Sequence, residues 1–428
     1  MYSLKIRWTA FTLMLALVCT LLPLSSVQAA VSNIKVTVNG KSLSFDEKPR
    51  MVNGRTMVPY RTIAESLGGK VKYDSKAKLA TITKGSQKVE LTLGSKTAKI
   101  NGKSTTMDAA PVNANGTVLV PLRFVGESLG VWVNWNKSSS TASLETKKTI
   151  KHSLGSTTLN SVPKRAVILF NGGVDISVLL GVKPVGAVES YVQQPFYEYV
   201  RSSLIGTKTL GDETQPNLEA IAKLKPDVII ATKDRHEKIN GQLNKIAPTI
   251  MTKDLADWQD NLQVMAAVFN KEEKANAFMA DWKASVADFK RKLPAKDKGA
   301  EISVIRVNPN GSARAYNTGF AYQIFQELGF KVPKQQAALK QELVTVTSKE
   351  QVSLLDGDYI FDFTVDWDGD GEILKLQKEW TNSPLWKNLK AVKNKKYYKV
   401  NAVTWNLSGG ALAAKQMLDD LYFYFDLE

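Results

Sequence analysis

Glu379-Trp380-Thr381-Asn382-Ser383-Pro384-Leu385-Trp386-Lys387-Asn388-Leu389-Lys390-Ala391-Val392-Lys393, followed by Tyr397-Tyr398-Lys399-Val400, is the stretch on which the reading of the fold turns. Trp380 and Trp386 are assigned to packing, as is Trp282 upstream, and Tyr397–Val400 to a strand. Working outward, strands are expected at Ile302–Ile305 and Ile360–Phe363, and a closing helix from about Gly409 to Phe425. Further upstream, Ala166–Phe170, Val185–Val188 and Val228–Ala231 read as buried strands with helix-like segments between them, an α/β pattern. Between the two groups runs an amphipathic segment from about Lys271 to Leu293. Its Phe278, Met279, Trp282, Val286, Phe289 and Leu293 recur at three- and four-residue intervals on one face. Two α/β lobes joined by one long helix are expected. Periodicity alone also allows other two-domain α/β folds.

The same stretch, together with Pro216-Asn217-Leu218-Glu219 and Lys225-Pro226-Asp227-Val228-Ile229-Ile230, resembles the ferric-siderophore solute-binding proteins of ABC importers. The resemblance implies a two-lobed periplasmic-binding-protein-like fold over residues 157–428. Its parts are an N-lobe at 157–257, a connecting helix at about 258–294 and a C-lobe at 300–428. It implies a receptor that captures a ferric siderophore of hydroxamate or citrate-hydroxamate type and hands it to a permease with a cytoplasmic ATPase. No catalytic residue, protein-held metal or cofactor is then expected, because the chelate already satisfies its iron. Such a ligand calls for guanidinium groups toward its oxygens and aromatic faces toward its organic shell. These groups belong at the C-terminal ends of strands, where open α/β sheets place ligands.

Four places answer that description. After Val228–Ala231 come Arg235 and His236, in a segment similar to one in hydroxamate and citrate binders; a solvated helix start capped by Asp234 is the alternative. After Ile302–Ile305 come Arg306 and, past the turn Asn308-Pro309-Asn310-Gly311, Arg314 with Tyr316; the alternative for the arginines is surface salt bridging. After Ile360–Thr364 comes an acidic, glycine-rich loop holding Trp367. From Asp366 it starts like a calcium loop, but the twelfth position is Gln377 where a bidentate Glu is required, so calcium is not expected. Trp405 and, in the first lobe, Tyr191 complete the aromatic candidates, with core packing as the competing role. By the same resemblance, Glu219 and Glu350, one per lobe, are expected to dock the permease. Otherwise they are carboxylates that favour helix dipoles.

Ahead of the lobes the sequence repeats at a spacing of 62 residues. Val38-Asn39-Gly40 matches Ile100-Asn101-Gly102, and Met57-Val58-Pro59-Tyr60-Arg61 matches Leu119-Val120-Pro121-Leu122-Arg123. Glu65-Ser66-Leu67-Gly68 matches Glu127-Ser128-Leu129-Gly130. Each copy reads as a hairpin turning at Asn-Gly, a strand, one helix and a closing hairpin. Pro59 and Pro121 suit a first helical turn, and Gly68 and Gly130 a helix end. The double repeat resembles the copper amine oxidase N-terminal-like stalk domain, a small β-rich α+β unit, over residues 30–147. No oxidase chemistry is implied, since the whole chain holds two histidines, His152 and His236. The polar stretch 148–156 reads as a linker.

Residues 1–29 read as a secretory signal: Lys5 and Arg7, an apolar run from about Phe11 to Leu24, then Val27-Gln28-Ala29. Cys19, the sole cysteine, lies inside it with bulky Val18 before it, which argues against lipidation but leaves that open. Residues 31–147 hold 18 basic and 8 acidic residues, and residues 148–428 hold 37 and 33. A basic front unit on an exported chain points to anionic wall polymers or lipid headgroups and not to nucleic acid. The expected location is the outer face of the cell envelope. Haem or cobalamin as cargo, or a wall-structural protein without transport, are the competing readings. An enzyme with metal clusters bridging two such lobes would need cysteines that the exported chain lacks.

Overall fold

The structure is a computed structural model describing residues 34–427. The signal, its cleavage point and Cys19 lie outside the described residues. In the front unit, copy one comprises β1 (Lys35–Val38), β2 (Lys41–Ser42), β3 (Arg50–Val52), β4 (Arg55–Pro59), α1 (Tyr60–Ser66), β5 (Lys70–Asp74) and β6 (Leu79–Lys84). Strand β7 (Gln87–Thr92) leads to copy two: β8 (Thr97–Ile100), β9 (Lys103–Thr106), β10 (Val112–Ala114), β11 (Thr117–Pro121), α2 (Leu122–Ser128), β12 (Trp132–Asn136) and β13 (Thr141–Glu145). Asn39-Gly40 and Asn101-Gly102 turn their hairpins with positive φ at both residues, the geometry Asn-Gly favours. Pro59 and Pro121 end their strands one residue ahead of the helices, and Gly68 and Gly130 follow the helices in the left-handed region.

The copies interlock. Strands β4 and β11 pair antiparallel, with Val58 opposite Val120, which are the same position of the two copies. A pseudo-twofold axis therefore passes through that pair. The leading hairpin β1–β2 of copy one lies in parallel against β13 of copy two, while β8–β9 of copy two reach β5–β6 of copy one through β7. One apolar cluster, including Val58, Ile63, Val120 and Leu144, serves both copies.

The expected linker is a correction. Residues 148–159 form a hairpin of β14 (Lys148–His152) and β15 (Gly155–Leu159). Ile150 and Leu159 are buried in the core of the lobes, and Ser153 donates its backbone N–H to the Met251 carbonyl at 2.9 Å. Only alternate residues point inward, so the strand reads as polar in sequence although it is docked.

The N-lobe follows: β16 (Ala166–Ile168), α3 (Asn171–Leu180), β17 (Gly186–Ala187), β18 (Lys208–Thr209), α4 (Leu218–Lys223), β19 (Val228–Thr232) and β20 (Thr249–Thr252). Its five strands are parallel in the order β18-β17-β16-β19-β20. Buried on both faces, β19 is apolar but for its last residue, as parallel strands are.

The connection between lobes is two helices, α5 (Trp258–Phe269) and α6 (Glu272–Lys292), not the single helix expected at 258–294. Asn270 breaks it in the left-handed conformation, φ 56° and ψ 47°. The amphipathic segment read from Lys271 to Leu293 is α6 itself. Glu272 and Glu273 in its first turn and Lys290, Arg291 and Lys292 in its last complement the helix dipole.

The C-lobe contains β21 (Ile302–Val307), β22 (Ala313–Tyr316), α7 (Phe320–Leu328), β23 (Leu343–Val346), β24 (Tyr359–Asp362), α8 (Glu372–Asn382), β25 (Tyr397–Lys399) and α9 (Ala411–Tyr424). The sheet order is β23-β22-β21-β24-β25; β21, β24 and β25 are parallel, while β22 is antiparallel to both its neighbours. A single apolar core runs from Trp132 of the front unit through both lobes to Phe425.

Candidate functional site

The C-terminal ends of β16, β19, β21 and β24 point their following loops at the space between the lobes. A cavity of about 500 Å³ lies there, with Tyr191, Glu213 and Arg235 from the N-lobe and Arg306, Tyr316 and Trp367 from the C-lobe in its wall. Asn406 to Gly409, in the loop that leads into α9, close it. A second recess of about 730 Å³ adjoins it, lined by Gln193, Gln194, Asp366, Asp368 and Asn401. Tyr191 and Trp367 belong to both walls and meet edge-to-face across the lobes, ring centroids 6.4 Å apart. They form the partition between the two spaces.

The two walls differ in electrostatics. On the N-lobe, Arg235 Nε donates to Glu213 Oε1 at 3.4 Å, and Glu213 is buried. Glu213 Oε2 also accepts from the backbone N–H of Asn171 at 2.9 Å and from Asn171 Nδ2 at 3.0 Å. It thereby satisfies a buried backbone donor, free of any partner within the helix, at the start of α3. Burial works against the Arg235 charge, but Tyr191 and Glu213 beside it leave its pKa raised. Burial, and then the Glu213 charge, push the Tyr191 phenol up, so it stays a neutral donor.

On the C-lobe, Arg306 makes no ion pair among the described residues. Its Nε and Nη2 donate to Asn308 Oδ1 at 3.3 and 3.2 Å. The guanidinium lies 5.4 Å from the Trp367 ring centre, 5.8 Å from that of Tyr316 and 6.0 Å from that of Phe363. Burial lowers its pKa, and the Arg314 charge adds to that, yet guanidinium stays protonated. Arg314 stands directly opposite Arg306 in the β21–β22 ladder, hence on the same face; its Nε is buried without a partner. With the half-buried Arg306 guanidinium in it, unpaired with any carboxylate among the described residues, and a second guanidinium, Arg314, on the same face beside it, this wall is the one that attracts an anion.

Of the residues expected at the site, Arg235, Arg306, Tyr316, Tyr191 and Trp367 come together in the cavity wall. Arg314 shares the face of Arg306 without being part of that wall. Two expectations are corrected. His236 is fully buried: Nδ1 accepts from the Thr232 backbone N–H at 3.2 Å, and Nε2 donates to the Glu213 carbonyl at 2.8 Å. Burial lowers its pKa, consistent with a neutral ring that ties the end of β19 to the Glu213 loop. Trp405 is also fully buried; its Nε1 donates to Asp420 at 2.8 Å and its ring packs 4.8 Å from that of Phe361. The residues just after it reach the cavity instead. Asp234 does not cap the helix it begins; Thr232 stands at that position and Asp234 accepts from Leu255 N–H.

Glu213 and the Asn406–Gly409 turn are the contributors that the sequence did not disclose. Asn171, three residues past the end of β16 and first in α3, obeys the strand-end rule and was within reach of it. Glu219 is exposed in the first turn of α4 beside its cap Asn217, paired with Lys223 at 2.7 Å. Glu350 is exposed in the first turn of a 3₁₀ helix, Lys349–Leu355, capped by Ser348. Among the described residues no group of three or more His, Cys, Asp or Glu side chains is placed to hold a metal ion, and no helix is long and apolar enough to cross a membrane.

Residues 167–404 match the periplasmic binding protein family, and residues 37–144 match the copper amine oxidase N-terminal domain. A Bacillus subtilis protein described as a probable siderophore-binding lipoprotein, YfiY, is 42% identical over 301 residues, covering 68% of this chain and 92% of its own. The Fe(3+)-citrate-binding protein YfmC of the same organism is 32% identical over 295 residues, 67% and 90%. The crystal structure of Staphylococcus aureus SirA complexed with staphyloferrin B superposes with a TM-score of 0.62 at 39% identity, over 66% of this chain and 99% of that one. By sequence and by its two-lobed fold, the chain belongs to the periplasmic binding protein family, with a copper amine oxidase N-terminal domain set in front.

Proposed function

We propose that this protein is an extracytoplasmic receptor that takes up a preformed ferric siderophore, of hydroxamate or citrate-hydroxamate type, and delivers it to an ABC permease without chemical change. The observation that carries the reading is Arg306. It is an uncompensated, half-buried guanidinium faced by three aromatic rings at the wall of an interlobe cavity. Such a group offers charge-assisted bonds to the oxygens of an anionic chelate, and the rings offer faces to its organic shell. The iron arrives already coordinated, so the protein supplies neither metal ligands nor a cofactor. Haem loses His236 as an axial ligand, because both its ring nitrogens are engaged.

Tryptophan fluorescence of the purified protein, titrated with ferric siderophores, haem and cobalamin, tests the cargo: saturable quenching by ferric siderophores alone is expected, and quenching by haem or cobalamin alone overturns it. Arg306→Ala should weaken that binding by about 2 kcal/mol, roughly thirtyfold in Kd. Unchanged affinity in the Arg306→Ala, Arg314→Ala double variant sinks the site assignment.

Glu219 and Glu350, exposed at helix starts of opposite lobes, suit contacts with permease arginines. Changing both to Lys should abolish uptake by cells while leaving the fluorescence titration as it was; normal uptake refutes the assignment. The net positive front unit suits attachment to anionic wall polymer or lipid headgroups on the outer face of the envelope. Retention of the full chain by isolated walls that weakens as salt is raised is the result this predicts.

A further inference from the structure

A cavity of about 210 Å³ lies at the front unit's border with the lobes, away from the iron site. Met51 and Arg55 of the β3–β4 hairpin form one side, Arg123, Asn134 and Trp135 of copy two the other, and Glu273 of α6 the end. Trp135 is 38% exposed and Met51 46%, unusual for such large apolar side chains. On the far side of Trp135 a shallower recess continues along Asn136, Lys137 and Ser138, so the indole stands in the middle of a polar-edged trough.

The repeat supplies an internal control. The position of Leu122 in copy two is held by Tyr60 in copy one, and that of Trp135 by Tyr73. The Tyr60 ring is buried, its centroid 6.4 Å from that of Tyr73, with the Arg61 guanidinium 5.8 Å above it. Copy one thus fills its space with its own phenol. Copy two has the shorter Leu122 there, and a space stands open beside Trp135.

Charge decides what would occupy it. Arg55 is ion-paired with Asp108 and Arg123 with Glu273, so the four charged groups of the cavity wall cancel. Neither arginine is left to draw an anion. Each guanidinium has five N–H donors, however, and the carboxylates have further lone pairs, so the pairs offer fixed donors and acceptors at close spacing. An aromatic face bordered by planar polar groups suits a pyranose ring, which has an apolar C–H face and a rim of hydroxyls. We propose that this trough is a binding site for an uncharged glycan chain, with Trp135 as the stacking platform and the Arg55–Asp108 and Arg123–Glu273 pairs and Asn134 bonding its hydroxyls. The proposal rests on the reading of the front unit as a wall-attachment unit and gives it a specific, salt-independent contact beside the general electrostatic one.

Cellotetraose and the tetramer of N-acetylglucosamine are the probes, titrated into the full chain by calorimetry at about 0.05 and about 0.5 M salt, a range over which exposed charges become screened. Saturable binding of at least one probe, nearly unchanged by salt, is expected. Trp135→Ala should weaken it about tenfold, the loss of one aromatic stacking contact. Leu122→Tyr, which restores the filler of copy one, should block it while the thermal midpoint and the ferric-ligand titration confirm an intact fold. Failure of both probes to bind, or equal binding by wild type and both variants, overturns the proposal. Salt-sensitive wall retention without oligosaccharide binding also overturns it, yet leaves the electrostatic attachment standing; oligosaccharide binding without wall retention does the reverse.

Discussion

Asp175 is fully buried in α3, where it accepts from Tyr199 Oη at 2.5 Å and from the backbone N–H groups of Leu412 and Ala413 at 2.8 and 3.0 Å. It joins the N-lobe to the first turn of α9, beside the turn that closes the interlobe cavity. Burial raises its pKa to about 6, against the hydrogen bonds that favour the charged form. A carboxyl whose folded pKa exceeds its unfolded one binds more protons when folded. Its contribution is therefore fully present only below about pH 4 and is lost as pH rises from there through about 6, on the order of 3 kcal/mol in all. His236, with its lowered pKa, acts in the opposite direction, since the unfolded chain takes up the proton first as pH falls below the ordinary histidine value. The difference between wild type and Asp175→Asn in urea unfolding isolates Asp175: it should change steadily between about pH 4 and 6. A constant difference across that range would show that the carboxyl titrates as it does in water. Arg306, Tyr316 and Trp367, singled out because strand ends aim loops at clefts, do lie in the wall of the interlobe cavity. Sequence misplaced His236 and Trp405 because the partners that bury them, Glu213 and Asp420, are distant along the chain or carry no signal of that contact.

Elements with a strong period were legible and those defined by docking were not. Helix α6 announces itself through its apolar stripe and charged ends, and the 62-residue repeat fixes the front unit's hairpins. Hairpin β14–β15 exposes alternate Lys, Thr and Ser residues, so its two buried anchors, Ile150 and Leu159, vanish in a polar stretch. The break at Asn270 was equally hidden, because a left-handed residue between two helices leaves the apolar pattern almost undisturbed. Asn270 has two separable roles. Its backbone occupies φ 56°, and its side chain accepts from Val133 N–H at 3.0 Å and donates to Glu127 at 3.2 Å. Asn270→Gly keeps the backbone at ease and removes only the side-chain bonds. Asn270→Ala removes both and should be less stable than the Gly variant by about 1 kcal/mol in denaturant unfolding. Equal stability of the two would mean that the elbow relaxes out of the left-handed region.

At the scale of the whole molecule, the front unit is docked on the lobes and not tethered to them. Trp132 of β12 is wholly buried in the core shared by the lobes, and its Nε1 donates to the carbonyls of Ala267 and Val268, both at 3.2 Å, at the end of α5. Lys148 with Glu272 and Arg123 with Glu273 bracket the same elbow. The exposed Arg123 pair adds little by itself, so the indole carries the junction. Wild-type protein should therefore unfold in calorimetry with its front unit and N-lobe coupled. Trp132→Ala removes a buried aromatic at a cost of about 3 kcal/mol and leaves two carbonyls at the helix end without that donor. The front unit should then melt as a separate, earlier transition, while ferric-ligand affinity stays within about twofold, because the cavity between the lobes is built from residues beyond 170. A Trp132→Ala variant that still melts in one transition would show that the hairpin β14–β15 alone couples the two parts. One that lost ligand affinity would show that the front unit sets the spacing of the lobes, by bracing the elbow at Asn270 through which every motion of α5 against α6 must pass.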